Sequence, residues 1–254
     1  MERWGGWHFF QCSRVSTLHF TILHLRVEFL PKRDDWCHMR FASREDAGRR
    51  LGRRLLEQGV VTDLVLGLPR GGVVVAAAVA QMLQRPLDVL VVRKIGLPWH
   101  REFAVGALAE PDVVVLDEAS LLEFPVARGQ LSQVVEEEMA RLREYRLQFH
   151  RSAAPGLEGK AVLLVDDGLA TGATAEAAAL SAKQQGARRV IVAAPVASTN
   201  AVERLRRMAD DVVVLLADPA FGAVGRYYHE FPQTDDGEVI ALLRDATSWG
   251  KCGQ

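Results

Sequence analysis

The feature that most constrains this chain is a set of short runs dominated by Val, Leu, Ile and Ala, without apolar–polar alternation. They occupy residues 64–68, 88–92, 113–116, 161–165, 190–196 and 212–217. A strand wetted on one face alternates apolar and polar residues, so an unbroken apolar run belongs in a sheet covered on both faces, as parallel sheets are. Helical patterns separate the runs. Ser43-Arg-Glu-Asp46 supplies a hydroxyl cap and an acidic first turn, and Ala47, Leu51 and Leu55 then recur on one face. A Gly-rich turn after residue 68 opens a helix reaching about Leu83. A longer amphipathic helix carries Val135, Met139, Leu142 and Phe149, with Glu136 to Glu138 expected to face solvent. Two more helices are predicted over 173–185 and 198–208. Strand–helix alternation implies right-handed crossovers and a doubly wound α/β fold, which binds ligands beyond the carboxyl ends of its strands. There is no internal repeat or low-complexity tract, so one domain is expected.

Composition narrows the function. The 254 residues carry a net charge of -1, which gives no global attraction for nucleic acid or an anionic membrane. No window reaches the roughly 18 uninterrupted apolar residues of a membrane helix. Val15 to Leu30 comes nearest, but His19, His24, Arg26 and Glu28 interrupt it. The N-terminus lacks the pattern of a signal peptide. Cys12, Cys37 and Cys252 have no metal-like spacing, which reads as a reduced, cytoplasmic chain. Residues 1–38 hold three of the five tryptophans and four of the seven histidines, with little periodicity. They are expected to be a disordered extension or a misread start, a strand hairpin being the other reading. The domain is expected over 39–246, with a tail over 247–254.

The strongest motif is Ala161-Val-Leu-Leu-Val-Asp166-Asp167-Gly168-Leu-Ala170-Thr171-Gly172-Ala173-Thr174: a buried strand, two carboxylates, a tight loop and a helix start. Backbone amides at a helix N-terminus present unpaired donors and a positive dipole end, which suits a phosphate. Gly172 lets the backbone approach, and the Thr171 and Thr174 hydroxyls add donors. Carboxylates one step away are acceptors for two vicinal sugar hydroxyls. A phosphate cup beside a diol reader describes a ribose 5-phosphate site. No Gly-Lys-Ser/Thr is present for a Walker A loop, and a Gly-x-Gly-x-x-Gly reading fails as well.

This stretch closely resembles the PRPP-binding signature of type I phosphoribosyltransferases, an apolar strand, two acids and then Thr-Gly-x-Thr. The resemblance implies that Asp166 and Asp167 hold the ribose hydroxyls and that Ala170 to Thr174 hold the 5-phosphate. Pro69-Arg70-Gly71-Gly72 follows the first strand, where this class places its pyrophosphate loop, so Arg70, Gly71 and Gly72 are assigned to pyrophosphate. Residues 93–102 resemble the family's flexible loop. Arg93 and Lys94 are expected to stabilise the departing pyrophosphate, while His100, Arg101 and Glu102 are candidate lid residues or solvated charges. Together with Leu-Pro-Arg-Gly-Gly and Val-Arg-Lys-x-Gly-x-Pro, the signature is similar to an uncharacterised bacterial subfamily, from Met39 to the last helix. After the last strand, Phe221 and Tyr227 are candidates for an acceptor hood.

What the resemblance implies is transfer of the 5-phosphoribosyl group from PRPP to an unidentified acceptor, a nucleobase being one class, with Mg2+ bridging pyrophosphate and ribose hydroxyls. Enzymes for 6-oxopurines usually carry an acid where this chain has Ala170, so the loop looks more like the adenine type, and the acceptor stays open. A non-catalytic PRPP-binding regulator is the competing reading. Arg204, Arg206 and Arg207 are too small a cluster for nucleic acid and read as a solvated helix face. A PRPP-making pyrophosphokinase would need an ATP site and usually two such domains. A homodimer is expected by analogy alone, with the helix over 129–150 offering a surface.

Overall fold

The computed structural model describes residues 40–150 and 156–249, together with Arg3, Trp4, Trp7 and His8. Arg3–Trp4 pairs antiparallel with Trp7–His8. The other expectations for residues 1–38 lie outside the described residues; of the tail expected over 247–254, residues 247–249 continue the last helix and 250–254 lie outside the described residues.

From Arg40 the elements alternate. Helix α1 (Arg44–Glu57) is capped by Ser43, whose side chain accepts from the Asp46 amide. Strand β1 (Leu64–Gly67), α2 (Gly71–Leu83) and β2 (Leu87–Val89) follow. Next come β3 (Val92–Leu97), β4 (His100–Ala109), β5 (Val113–Leu116), α3 (Glu118–Glu123) and α4 (Arg128–Phe149). The chain closes with β6 (Ala161–Val165), α5 (Ala173–Gln184), β7 (Arg189–Ser198), α6 (Thr199–Leu205), β8 (Asp211–Asp218), a 3-10 turn (Val224–Tyr227) and α7 (Asp236–Trp249).

Five strands form a wholly parallel sheet in the order β8-β7-β6-β1-β2. Every residue of β1 and β6 is buried, as their unbroken apolar runs required. One face of the sheet packs on α5 and α6, where Ala175, Ala177, Ala178, Ala179 and Ala182 are fully enclosed. Those small side chains let α5 lie close to the strands. The other face carries Val65, Leu163, Val165 and Ile191 against Leu51, Leu55, Val75 and Val79 of α1 and α2. Each aliphatic side chain enclosed in this way contributes roughly 1.5–3 kcal/mol.

The register of β1 on β6 runs from Leu64 opposite Val162 to Gly67 opposite Val165. The segments after those two strands, 68–72 and 166–172, therefore leave the sheet side by side at its carboxyl edge. Sequence order separates them by almost a hundred residues, and one strand pairing joins them.

The second sheet, β3-β4-β5, is antiparallel. Here the structure departs from the expected order. Residues 88–92 are not one strand: β2 ends at Val89, and β3 starts at Val92 in a different sheet. Residues 93–102 are likewise not a loop. Arg93 to Leu97 pair with Leu108 back to His100 around a turn at Pro98-Trp99, with register shifts on both sides of Gly96. The Gly, Pro and charges that suggested a loop are the bulge, turn and wet face of a hairpin. Among the described residues no helix is long and apolar enough to cross a membrane.

Candidate active site

Asp166 stands directly after β6. Its Oδ1 accepts from the Asp167 amide at 2.8 Å, and its own amide donates to the Ala193 carbonyl on β7. Burial, and then the neighbouring Asp167 charge, push the Asp166 carboxyl well above the usual carboxylate range; the Asp167 amide and the Lys94 and Arg44 charges offset only part of this. Asp167 is held by Arg44 Nε at 2.8 Å. Arg44 belongs to the first turn of α1, donates through Nη1 to the Pro232 carbonyl at 2.7 Å and lies 3.8 Å over the Phe231 ring. The Tyr228 hydroxyl donates to the Asp167 carbonyl at 2.6 Å. Burial and the Asp167 charge raise the pKa of this tyrosine, so it stays a donor.

The loop beyond the acids is fastened to β7. The Leu169 amide donates to Val196, the Ser198 amide returns to Leu169, and Ser198 Oγ donates to the Ala170 carbonyl at 2.6 Å. Gly172 then turns the chain with φ +76°, the left-handed region where a side chain is strained. Helix α5 begins there without a side-chain cap. Thr171 Oγ1 accepts from the Ala173 amide at 3.4 Å, and the later amides of the first turn have no intrahelical partner.

The second loop touches the acids through glycine. A Cβ on Gly71 would lie 2.1 Å from Asp167 Oδ2 and 2.7 Å from Arg44 Nε. One on Gly72 would lie 2.8 Å from the Val165 carbonyl and 2.9 Å from Asp166 Cα. Backbone thus packs directly on the acidic pair, and the Pro69-Arg70 peptide is cis.

A cavity of about 550 Å³ opens over both loops. It brings together Asp166, Asp167, Ala170, Thr171, Gly172 and Thr174 with Arg70, Gly71, Arg93 and Lys94. Gly72 and Ala173 sit behind it, buried, where they set the loop backbone. Lys94 is exposed at the rim and near enough to Asp166 to favour its ionised form. Arg70 has a loose partner in Asp236, at 3.7 Å.

Several expected roles change. Arg93 is not a free cation: its Nε and Nη2 both donate to Glu138 Oε2, at 2.9 and 2.7 Å. Glu138 was expected to face solvent, but it is buried, because it lies four residues from both Val134 and Leu142 on the apolar side of α4. Phe221 and Tyr227 do not line the cavity. They stack on each other with centroids 5.3 Å apart, and the Tyr227 hydroxyl donates to Asp218 Oδ2 at 2.5 Å; Val224 reaches the cavity between them. His100 is exposed, Arg101 lines the cavity and pairs with Glu137 at 2.8 Å, and the Glu102 side chain lies outside what is described.

Arg44, Tyr228, Glu138 and Arg141 were missed from sequence. Two had a readable signal: Arg44 shares the buried stripe of α1 with Ala47, Leu51 and Leu55, and Glu138 shares that of α4. A charge in phase with an apolar stripe must have a partner. Among the described residues, no three His, Cys, Asp or Glu side chains converge as a metal site would require.

Two loops thus adjoin at the carboxyl edge of a doubly wound sheet, one ending in a helix start and the other packed on paired acids, at the edge where such sheets bind ligands. The family profile described as the phosphoribosyl transferase domain matches residues 42–231. Two Mycobacterium tuberculosis proteins, from strains CDC 1551 / Oshkosh and ATCC 25618 / H37Rv, are named provisionally as phosphoribosyl transferases. Each is 43% identical over 205 residues, covering 80% of this chain and 46% of the relative. The chain thus spans less than half the length of these relatives. The crystal structure of TT1426 from Thermus thermophilus superposes with a TM-score of 0.67 at 43% identity, covering 82% of this chain and 99% of that one. The chain belongs to the phosphoribosyl transferase domain family and has the type I fold.

Proposed function

We propose that the chain transfers the 5-phosphoribosyl group from PRPP to a small-molecule acceptor, a nucleobase being the first class to test, with release of pyrophosphate. The observation that carries this reading is the packing of the Gly71-Gly72 backbone on Asp166 and Asp167, beside the helix start at Gly172. One ligand bearing a ribose diol between two phosphate groups would engage both loops at once.

In the reaction, the bond from the anomeric carbon to the pyrophosphate oxygen breaks, and an acceptor nucleophile forms the new bond to that carbon. Positive charge grows on the ribose and negative charge on the leaving group. The Asp166 and Asp167 carboxylates hold the ribose hydroxyls and face the growing cation. Backbone amides at the start of α5, with the Thr171 and Thr174 hydroxyls, hold the 5-phosphate. The pyrophosphate falls to the Gly71 backbone, Arg70 and Lys94, with Gly72 setting the loop from behind. Arg44 positions Asp167 rather than touching substrate.

The raised carboxyl of Asp166 gives the free site a proton to lose. Acid ionises when positive charge arrives beside it, so binding of a magnesium–PRPP complex would release that proton and tighten as pH rises. The acid pair offers the hard oxygens Mg2+ prefers, and two carboxylates with substrate phosphates and water suit an ion carried in by the ligand. Bound there, the ion would supply neutralisation of the leaving group's charge.

The test is pyrophosphate release from PRPP and Mg2+ with a panel of purine, pyrimidine and pyridine bases. Release should require one acceptor class and disappear in Asp166→Asn/Asp167→Asn. Stabilisation by PRPP without release on any acceptor would transfer support to a binding-only role. Neither release nor stabilisation would overturn the proposal.

A further inference from the structure

The cavity is also lined by α4, which contributes a buried carboxylate that holds two arginines. The Glu138 side chain is only 7% exposed. Its Oε2 receives both hydrogen bonds from Arg93, and its Oε1 receives Arg141 Nη1 at 2.6 Å. Both arginines line the cavity. One negative charge between two positive ones leaves the wall with a net positive charge.

The two arginines are not equivalent. Arg93 commits two of its nitrogens to Glu138 and lies 5.2 Å over the Tyr145 ring, which itself stacks on the buried Phe149 at 5.3 Å. Its position is fixed by packing as well as by charge. Arg141 gives Glu138 a single nitrogen and its side chain remains 55% exposed, so the rest of its donor fork is open. It stands three residues after Glu138 on α4 and lines the cavity.

Charge along the cavity is also uneven. The 170–174 loop that would hold the 5-phosphate offers amides and hydroxyls, with no cationic residue of its own. Arg70, Lys94, Arg93, Arg101 and Arg141 come instead from the segments after β1 and β2 and from α4. The more highly charged group of the substrate belongs with those cations rather than with the 170–174 loop. Resting on the reading of the cavity as a PRPP site, we propose that α4 supplies a further pyrophosphate-binding residue, Arg141, and that Glu138 is the positioning residue that aims it.

The guanidinium fork would take two pyrophosphate oxygens while its Nη1 stays on Glu138. Glu138 then fixes the angle of approach and keeps Arg93 and Arg141 from repelling each other.

Calorimetric titration of the full chain with magnesium pyrophosphate, PRPP and ribose 5-phosphate separates the roles. Arg141→Gln should weaken pyrophosphate about tenfold, the scale of one lost charge-assisted pair, and raise KM for PRPP comparably with kcat little changed. Affinity for ribose 5-phosphate, which lacks the pyrophosphate, should not move. Arg141→Lys should recover part of the loss. Glu138→Gln should reproduce the Arg141→Gln defect, and the double variant should be no worse than either, as for two members of one unit. If Glu138→Gln fails to fold, the half-exposed Arg141 variants decide alone. Pyrophosphate affinity within twofold of the parent in Arg141→Gln, or an equal loss for ribose 5-phosphate, would overturn the assignment. A parent chain that binds neither PRPP nor pyrophosphate would be a different result, overturning the substrate reading and this assignment with it.

Discussion

The cavity wall that follows β6 and β1 is mostly backbone, small residues and two acids, with Arg70 its one cation, whereas the wall formed by β3, β4 and α4 is dominated by arginines tied to carboxylates, with Lys94 beside them. The first has almost no freedom. Its spacing is set by strand register, by the absence of a Cβ at Gly71 and Gly72, and by Arg44 packed on the Phe231 ring. The second has long side chains, several of them half-exposed, whose pairs can exchange for a ligand's charge. On the proposed function, this difference would suit a site that fixes the ribose in one place and then lets pyrophosphate go.

The largest expected effect tests the rigid wall. Arg44→Met strands the largely buried Asp167 carboxylate and should destabilise the fold by about 3–5 kcal/mol, the cost of removing one partner of a buried pair. Urea unfolding measures this, and Asp167→Asn in the same background should return part of the loss. A change below about 1 kcal/mol would mean that water or another cation reaches Asp167, and the wall would not be rigid.

The root of the compliant wall should give the next effect, because there the carboxylate ties become buried. Glu110, after β4, accepts the Val91 amide at 2.7 Å, Arg146 Nε at 3.0 Å and His150 Nε2 at 2.9 Å, while His150 Nδ1 lies 3.6 Å from Asp88. Burial opposes the imidazolium, but the hydrogen bonds and charges of Asp88 and Glu110 outweigh it and raise its pKa to about 9. A raised basic group stabilises fully below its unfolded value of about 6.5 and loses that contribution as pH rises through the folded value. Stability of the parent should therefore fall by roughly 2–3 kcal/mol between pH 6.5 and pH 9, relative to His150→Gln, on the same linkage. Parallel pH profiles for the two proteins would show that the histidine is not a charged tie.

The same contrast explains what could be read without coordinates. The parallel sheet was legible because β1 and β6 are buried on both faces and so admit only apolar residues. That Asp166 to Thr174 form one strand-end loop and helix start was legible because the stretch is contiguous. The arginine wall was not, since Arg93, Glu138 and Arg141 meet only when a hairpin packs on a helix some forty residues later. Tyr228 was passed over for its neighbour Tyr227 because adjacent aromatics in an irregular segment carry no phase. The bridge of Phe41 to Tyr228 decides which of the two faces the acids.

Gly71→Ala probes the rigid wall more gently. The added methyl meets a carboxylate oxygen and a guanidinium nitrogen at once, and overpacking of this kind costs about 1–3 kcal/mol. PRPP affinity should fall further than stability does, since the displaced atom is Asp167 Oδ2. Calorimetry beside urea unfolding gives both numbers. Stability falling with PRPP affinity unchanged would detach the pyrophosphate loop from the ribose acids.

The smallest effect is expected at Glu137, one residue from the buried Glu138. Its pair with Arg101 is open to solvent on both sides, at 44% and 39% side-chain exposure. Exposed pairs of this kind contribute between nothing and about 1 kcal/mol and are screened by salt, so Glu137→Gln should shift unfolding by less than about 0.5 kcal/mol. It also releases Arg101 toward the cavity, so pyrophosphate affinity should stay level or rise slightly. Glu138→Gln, by contrast, should lower it. Opposite signs at adjacent glutamates would separate a carboxylate that merely competes with the ligand for an arginine from one that aims an arginine at it. Equal losses at both would mean that the whole helix face, rather than one buried tether, organises the wall.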